Sequence, residues 1–405
     1  MPLANTSLAQ IRRIREVTFG VTPVAGNGGN LRVTGESFIF DVKKEESKEL
    51  RADRQIGYVV PVSAGASGGF NFHLSYGEYD PELESTLQSV YAVYGINGVG
   101  TTFVGTFTAN TIVPGANPTG SSAFTTLVRG QWFRLISSGS NNGRLFRVSS
   151  TVTPTAALIT LDAGTPAIVA ATEAGCAIQA SRLTNGILQT SFTYEKELPD
   201  VVQFFAFRGM TPGKVMLNFV SAALTDGSIE FMGKSSTRGV VTVLPGTTAP
   251  SRTGEIQSGA TGVSQIWEAG VPMTATFIKS LNLTVDNVQR SQEAIGNFGY
   301  VGIGSGTLAV SATLEVYFET GALYDKFLNN VYTSLIIGTQ DPAGNGYILT
   351  LPRVNLTSSK ITAGSKDQDL MASFELRALA DDANTIPALR RTLFIDRVGE
   401  AVVPF

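Results

Sequence analysis

The feature that most constrains this fold is an ordered set of segments that occurs twice, once in residues 35–94 and again in residues 278–333. In the first set, apolar and polar residues alternate in two stretches, residues 37–42 and 69–76. Period-two alternation is typical of β-strands with one buried and one solvated face. A helical pattern follows, so we predict two strands and a helix that packs on their sheet.

The start of this first helix is predicted from three consecutive residues. Asp80 suits an N-cap, Pro81 the first helical position, and Glu82 the favourable end of the helix dipole. The apolar stripe expected on the buried side of the helix consists of Leu83, Leu87, Val90 and Tyr94.

The second set repeats the order of the first. Leu281, Leu283 and Val285 alternate with polar residues, a polar connector follows, and a second alternating strand leads into a helical stripe behind Thr320. The triplet Gly-Tyr-Val occurs in both sets, at 57–59 and 299–301. Segments near 215–219 and 370–376 then close the two halves. We interpret this repeated order as an internal duplication.

The duplication predicts a mainly β protein with two tandem sandwich or barrel units, each flanked by an α-helix. A Thr-, Ala- and Gly-rich segment with an Asn-Gly hairpin signal interrupts the first unit, and we interpret it as a small β module on the outside. The predicted parts are an N-terminal arm at 1–30, a first unit at 31–96 and 186–245, the inserted module at 97–185, a linker at 246–270, and a second unit at 271–405.

Composition excludes several classes of protein. Charged residues make up only 16% of the chain, and the net charge of −3 gives no strongly basic face for holding nucleic acid. The single cysteine, Cys176, rules out an internal disulfide framework and is expected to fill apolar space. No apolar run suits a membrane span, and the arginines at 12, 13 and 15 precede no apolar signal region.

The residues of the chain do not suggest an enzyme. The single histidine, His73, lies on the polar face of a predicted strand, so neither a metal-ligand cluster nor a Ser/His/Asp set is expected. The glycines at 302, 304 and 306 lack the lysine and the strand–loop–helix context of a phosphate-binding loop. We expect no catalytic residue, no metal site and no cofactor.

The densest charged stretch, residues 43–55, connects two predicted strands in an otherwise charge-poor chain. One interpretation is a solvated loop. The other is a contact arm that sets the register between stacked copies through complementary charges. The residues expected to make that inter-ring contact are Lys43, Lys44, Glu45, Glu46, Lys48, Glu49, Arg51, Asp53 and Arg54.

Several of these segments together resemble the major tail tube proteins of long-tailed, siphovirus-like phages. In the first half they are residues 35–42, the charged loop that ends at 51–55, and residues 72–77. In the second half they are residues 280–286, 317–328, 351–353 and 366–369. The resemblance covers most of the chain and depends on the order of these segments, with the inserted module least covered.

The resemblance implies a structural virion protein, made in the bacterial cytoplasm, that forms stacked rings around a genome conduit. Single-unit members form rings of six, so duplication implies homotrimeric rings with pseudo-sixfold symmetry, with a homohexamer as the alternative. The implied partners are further copies of the chain, the tape measure protein, and the tail terminator and distal tail proteins. Double-stranded DNA would pass through transiently, and no membrane is involved.

A conduit should not hold its cargo through tight phosphate contacts, and a weakly acidic bore meets that requirement. The residues expected to face this lumen lie on the polar sides of the predicted strands. They are Asn71, His73, Ser75, Thr313 and Glu315.

Three alternatives remain open from the residues alone. A surface adhesin or carbohydrate-binding module would be a monomer with an aromatic binding patch, yet Trp132 and Trp267 are the two tryptophans of the chain. A type VI secretion tube protein would also form rings but is usually shorter and unduplicated. A capsid or tail-terminator protein is the third.

Overall fold

The computed structural model describes residues 3–94, 102–115, 124–162, 168–260, 262–273, 277–363 and 366–400. All pairings between one strand and another within these ranges are antiparallel, and about half of the chain is in strands. The prediction of a mainly β fold with flanking helices is confirmed. No helix among the described residues is long and apolar enough to cross a membrane.

The chain begins with a short 3-10 turn, Thr6–Leu8, and five strands that lead into the first helix. The strands are β1 (Gln10–Arg15), β2 (Gly29–Asn30), β3 (Gly35–Glu36), β4 (Ile39–Glu46) and β5 (Val59–His73), and the helix is α1 (Asp80–Thr86).

Seven strands follow before the chain returns to the first unit. They are β6 (Ala92–Tyr94), β7 (Phe103–Thr108), β8 (Thr111–Pro114), β9 (Trp132–Ile136), β10 (Leu145–Arg147), β11 (Ile159–Thr160) and β12 (Ala171–Thr184). Four strands complete the first half: β13 (Phe192–Leu198), β14 (Gln203–Val220), β15 (Asp226–Gly233) and β16 (Ser235–Gly239).

The described residues of the second half form ten strands, one helix and a second 3-10 turn, Pro387–Leu389. Its elements before the helix are β17 (Val263–Glu268), β18 (Val271–Pro272), β19 (Ile278–Asp286), β20 (Arg290–Gln292), β21 (Gly302–Gly304) and β22 (Ala309–Tyr317). The helix α2 (Ala322–Leu328) is followed by β23 (Thr333–Gln340), β24 (Gly346–Thr362), β25 (Met371–Leu379) and β26 (Phe394–Val398).

One sheet of eight strands runs through both halves. Its order is β4, β5, β15, β14, β19, β22, β25, β24. Each half contributes four neighbouring strands, and β14 and β19 join the two sets. We call this eight-stranded sheet, to which both halves contribute, the inner sheet.

A second layer of strands covers the apolar side of the inner sheet. In the first half β1, β13, the start of β14 and β16 pair in that order, and in the second half β17, β23, the start of β24 and β26 do so. The long strands β14 and β24 therefore belong to both layers. Aromatic side chains from the two layers meet in the core. The centroid of the Tyr194 ring lies 5.2 Å from that of Phe38 and 6.1 Å from that of Phe70.

The strand pairings of the first half recur in the second half in the same order. The corresponding elements are β1 and β17, β4 and β19, β5 and β22, α1 and α2, β13 and β23, β14 and β24, β15 and β25, and β16 and β26. The helices begin at residues 80 and 322, and both contain seven residues. The strands β1 and β17 thus open the two repeats, although the predicted boundaries placed them in an arm and a linker.

The N-terminal segment belongs to the core of its own chain. We predicted residues 1–30 to form an N-terminal arm, yet β1 pairs with β13 along six residue pairs, and Ile11 and Ile14 are buried. The two isoleucines of β1 are three residues apart, a spacing that does not follow the period of a strand, so the sequence pattern did not identify it. Val17, two residues beyond β1, is exposed.

Both helices are shorter than the sequence pattern predicts. Helix α1 ends at Thr86, so Val90 lies beyond it and Tyr94 belongs to β6. Its N-cap is Tyr79, and the Asp80 side chain makes tertiary contacts in place of capping the helix. In the second half, Gly321 and not Thr320 precedes the helix.

The inserted module has its own core. Strands β7 to β11 pack around Phe133, Phe146 and Cys176, all fully buried. The expected hairpin is present as β9 and β10, and Cys176 is the apolar filler that its type suggests. Strand β12 pairs with β7 and β9 at one end and with β26 at the other, so it connects the module to the second half.

Candidate assembly surfaces

The two halves meet along a seam of paired backbone between β14 and β19. The register runs from Lys214 opposite Asp286 to Val220 opposite Ser280. Val215 and Val285 are buried on the core side of this internal seam. The seam shows how one half of this chain joins another half edge to edge.

Helix α1 covers the internal seam from the core side. Leu83 and Leu87 line a small cavity together with Val215, Leu283 and Ile395, which come from both halves. The apolar side of α1 is therefore enclosed by residues of both repeats.

A buried ion pair ties the first residue of α1 to the second half. The Asp80 carboxylate accepts hydrogen bonds from Arg397 and, at 2.6 Å, from the Tyr347 hydroxyl. Burial by itself would lower the pKa of Arg397, but the Asp80 carboxylate outweighs it and raises that pKa. Both side chains are at most 7% exposed, so water could not solvate either charge if the other were removed.

A second buried pair ties α1 to the N-terminal strand. Glu82 contacts the Arg13 guanidinium and accepts a hydrogen bond from the Tyr194 hydroxyl at 2.7 Å. Burial would lower the pKa of Arg13, and the Glu82 charge raises it instead. The acidic residues of α1 thus hold elements from three parts of the chain together.

The inner sheet has open edges at both ends in the described part of the chain. At one end, β3 and β4 pair only with β5. At the other, β24 beyond Val354 pairs only with β25. Open strand edges carry backbone groups that are free to pair with another chain. These two edges occupy the places that β19 and β14 fill in the internal seam.

The inner sheet has a polar face on the side away from the core. Asn71 lies in register with Ser228, Met216, Thr284 and Ser311 across five strands. Charged side chains in register on this face include six acidic residues, Asp41, Asp226, Glu230, Asp286, Glu315 and Glu375, and three basic residues, Lys214, Lys360 and Arg377. The face is thus mixed in sign with an acidic excess.

Four of the five residues predicted to face a lumen have exposure on this polar face. Asn71 is exposed, and His73, Thr313 and Glu315 are partly exposed. Ser75 is fully buried, because it lies beyond the end of β5 where the chain turns beneath residues 256–257. Ser75 therefore does not lie on the polar face with the other four residues of the predicted set.

The charged stretch 43–55 forms the outer part of a hairpin that extends from β4 and β5, here called the first arm (residues 43–62). Its ion pairs are local: Lys43 contacts Glu45 at 3.4 Å and Arg51 contacts Asp53 at 2.8 Å. The bond to Arg51 lowers the pKa of the exposed Asp53 carboxyl. Phe40, predicted to be on a buried side, is 38% exposed, because the strand has left the sandwich at this point.

The first arm presents apolar side chains to solvent along its length. Leu50, Ile56, Tyr58, Val59 and Val60 are all more than half exposed. A cluster of exposed apolar residues is typical of an interaction surface.

The second half has a corresponding arm, residues 290–304, which rests on the first half of the same chain. Phe298 accepts a hydrogen bond from the Ala64 amide at 2.9 Å, and the Tyr300 ring lies against Gly65. An added Cβ at Gly65 would come within 2.4 Å of that ring, so the contact requires glycine. The first arm has no such support within the described residues of its own chain.

The inserted module is fixed to the outer layer of the second half. Trp132 packs on Trp267 with ring centroids 5.0 Å apart, and Ile336 and Ile348 complete this apolar contact. Arg182 donates to Asp396 at 2.6 Å and 2.7 Å. The module therefore lies on the side opposite the polar face of the inner sheet.

Sequence reasoning did not identify the open edges or the ion pairs of α1. The polar run at 357–360, which follows the alternating residues 349–356, was the available signal for the edge of β24. The acidic residues of α1 could be seen in the sequence, but their partners Arg13 and Arg397 are 69 and 317 residues away.

Comparison with protein families gives a match over most of the chain. The family model described as phage tail tube protein matches residues 6–378, which span the first half, the inserted module and the second half as far as β25. A search of curated proteins found no match.

Proposed function

Because this chain belongs to the phage tail tube protein family and is a structural component of the virion tail, we propose that it assembles into stacked rings around the path of the genome. The observation that carries this proposal is the eight-stranded inner sheet, polar on one face and open at both edges. Closing those edges between copies would satisfy the free backbone groups and enclose the polar face.

The repeated strand order supports rings of three copies with pseudo-sixfold symmetry. Each half contributes four strands to the inner sheet, so three chains would supply the strands of six single units. In a closed antiparallel barrel, one face of each strand points inward. The polar face would then line the bore, with Asn71, His73, Thr313 and Glu315 among its residues. A homohexamer is the alternative outcome.

The charge of the polar face suits passage of double-stranded DNA. Acidic side chains outnumber basic ones on this face, and several acids are already engaged, as Glu230 is with Lys214 at 3.7 Å. A surface that neutralises few phosphates binds DNA weakly. We infer that the bore guides the genome into the host without holding it. The tape measure, terminator and distal tail proteins are the further partners proposed.

The positions of the charged loops support stacking along the tube axis. The first arm projects from one end of the inner sheet, and the β24–β25 connection, with Lys366, Asp367 and Asp369, lies at the opposite end. Successive rings would bring these ends together. We propose that Lys43, Lys44, Glu45, Glu46, Lys48, Glu49, Arg51, Asp53 and Arg54 contact the next ring.

Electron microscopy of the purified protein at high concentration tests the assembly. We expect hollow tubes whose end-on averages have three outer lobes, one for each inserted module. Six equivalent lobes would keep the tube and replace the trimer with a hexamer. Particles that stay single chains, even with tail initiation proteins added, would contradict the tube and favour the adhesin alternative.

Charge reversal in the first arm tests stacking separately. Lys43 and Lys44 changed to Glu, with Glu45 and Glu46 changed to Lys, should leave folded chains and single rings but abolish tubes. The matched control changes the same positions to Arg and Asp, which preserves the charges. Normal tubes from the reversed variant would contradict the contact-arm proposal.

A further inference from the structure

The internal seam supplies a template for contact between copies. In it, β14, the last strand of the first half in the order of the inner sheet, pairs with β19, the first strand of the second half. The corresponding strands, β24 and β3–β4, are the two open edges. A second copy of this chain therefore carries the complementary edge for each of them.

The register on the β3–β4 side follows from counting pairs. Asn282 of the internal seam is opposite Thr313, and Gly35 is opposite Asn71. Asn71 and Thr313 are separated by the same 242 residues as the first residues of α1 and α2. Gly35 is thus the counterpart of Asn282.

The register on the β24 side follows in the same way. Asn218 of the internal seam is opposite Asp226, which is opposite His73. In the second half, Lys360 is opposite Ser373, which is opposite Glu315, the counterpart of His73. Lys360 is thus the counterpart of Asn218. Since Asn218 and Asn282 face each other, Lys360 and Gly35 should do so between copies.

Both counterpart positions are accessible in the chain. Lys360 is exposed, and a Cβ added at Gly35 would meet no heavy atom within 4 Å. Exposed apolar residues accompany both edges: Ile39 is 56% exposed beside one, and Tyr332 is 45% exposed beside the other. A paired seam would cover them.

Charges at the outer layer agree with the same placement. Arg397, which contacts Asp80 at the start of α1, is opposite Tyr347, and its counterpart Arg238 is opposite Phe205. Arg238 is exposed in the chain, and so is Glu319, just before α2. Docking in the internal-seam geometry would bring Arg238 of one copy towards the start of α2 in the other.

We propose that rings close along a seam that repeats the internal one, with β24 of one copy antiparallel to β3 and β4 of the next and Lys360 opposite Gly35. This inference rests on the proposed ring assembly and specifies its contact surface. It also makes the six junctions of a three-chain ring nearly equivalent, three within chains and three between them.

Cysteine pairs test the register. Asn218 and Asn282 are flanked by hydrogen-bonded positions, as the bond from Ser221 to Lys279 shows, so they form a non-hydrogen-bonded pair. Such close pairs suit a disulfide. The double variant Gly35→Cys with Lys360→Cys should give, on mild oxidation of assembled particles, covalent species of up to three chains that a reductant separates. Cys176 is buried and can remain.

Two controls complete the experiment. Asn218→Cys with Asn282→Cys should lose its two free thiols to an intrachain bond and still run as a single chain without reductant, which verifies the oxidation and the template. Gly35→Cys with Thr362→Cys, displaced by two residues on the same strand face, should react at least about tenfold more slowly because diagonal pairs are further apart.

The outcomes separate this inference from the proposed function. Rings or tubes that contain only single chains after oxidation, while the internal pair reacts, would overturn the proposed seam and leave the tube intact. Equal reaction of the displaced pair would overturn the register. An unmodified chain that forms no rings would overturn the assembly itself and the seam with it.

Discussion

The helices α1 and α2 hold the same place in the two repeats, yet their surroundings differ. Helix α1 has five buried residues, including Asp80 and Glu82, whereas α2 has none. The difference follows from what lies beside each helix. The second half flanks α1 across the internal seam, and an open edge flanks α2. The comparison indicates that the exposed helix lacks a neighbour that the buried one has within its own chain.

The arms also differ in how far they are covered, but here the element of the second half is supported and that of the first half is exposed. The arm of the second half rests on the first half through Phe298 and Tyr300. The first arm, at the other end of the chain, leaves Ile56 and Tyr58 exposed. In each repeat, therefore, the elements next to the other repeat are covered, and those on the far side are exposed.

The largest expected effect is on the free energy of unfolding and comes from replacing Arg397, whose counterpart in the first half is Arg238. Arg397→Met should destabilise the folded chain by about 3–5 kcal/mol, because it leaves the buried Asp80 carboxylate without its partner. Arg238→Met should change the stability of the isolated chain by less than about 0.5 kcal/mol, because Arg238 is exposed. Urea unfolding of both variants at low protein concentration measures the difference. Equal losses would contradict the comparison.

The apolar sides of the two helices provide the next test. Leu83→Ala should cost about 2–4 kcal/mol, because Leu83 is 7% exposed and lies over the internal seam. Leu328→Ala in α2 should cost roughly 0.5 kcal/mol or less, because that side chain is 59% exposed. Thermal unfolding compares them. A large loss at Leu328 would mean that α2 is already enclosed in the single chain.

Adding the missing carboxylate to α2 should sharpen the parallel. Ala322 is the counterpart of Asp80, so Ala322→Asp should place an acid near Arg238 of the neighbouring copy. A gain of about 1 kcal/mol would lower the concentration at which rings form roughly fivefold. Light scattering measures this onset. The gain should vanish when Arg238 is also changed to Ala, and a gain that persists would point to another partner.

The smallest effect concerns pH. Burial raises the pKa of the Glu78 carboxyl, which lies just before α1. Its charged form therefore costs stability at neutral pH, and this cost disappears as the pH falls through the folded-state pKa and then the unfolded one. Glu78→Gln should be stabilising at pH 7 by roughly 0.5–1 kcal/mol and neutral near pH 4.

The control for the pH effect is Glu319→Gln, at an exposed site before α2. It should give the same small change at both values of pH. A pH-independent effect of Glu78→Gln would contradict a penalty from the buried charge.

The sequence predicted elements best where a strand or helix buries only one face. The alternation of Phe70, Phe72 and Leu74 identified the end of β5 and its buried side, since period-two patterns report which face is covered. It failed at Phe40, where the same alternation continues into the exposed first arm. It also missed β1, whose charged residues are buried through partners elsewhere in the chain, as Arg13 is with Glu82.

The sequence by itself determined the mainly β architecture, the order of the repeated elements and the charged first arm, because these depend on local periodicity and on spacing along the chain. The tertiary structure decided which strands meet at the internal seam, which edges stay open, and which acids of α1 are buried. Those features depend on pairs of residues as distant as Asp80 and Arg397, and local pattern carries no information about such partners.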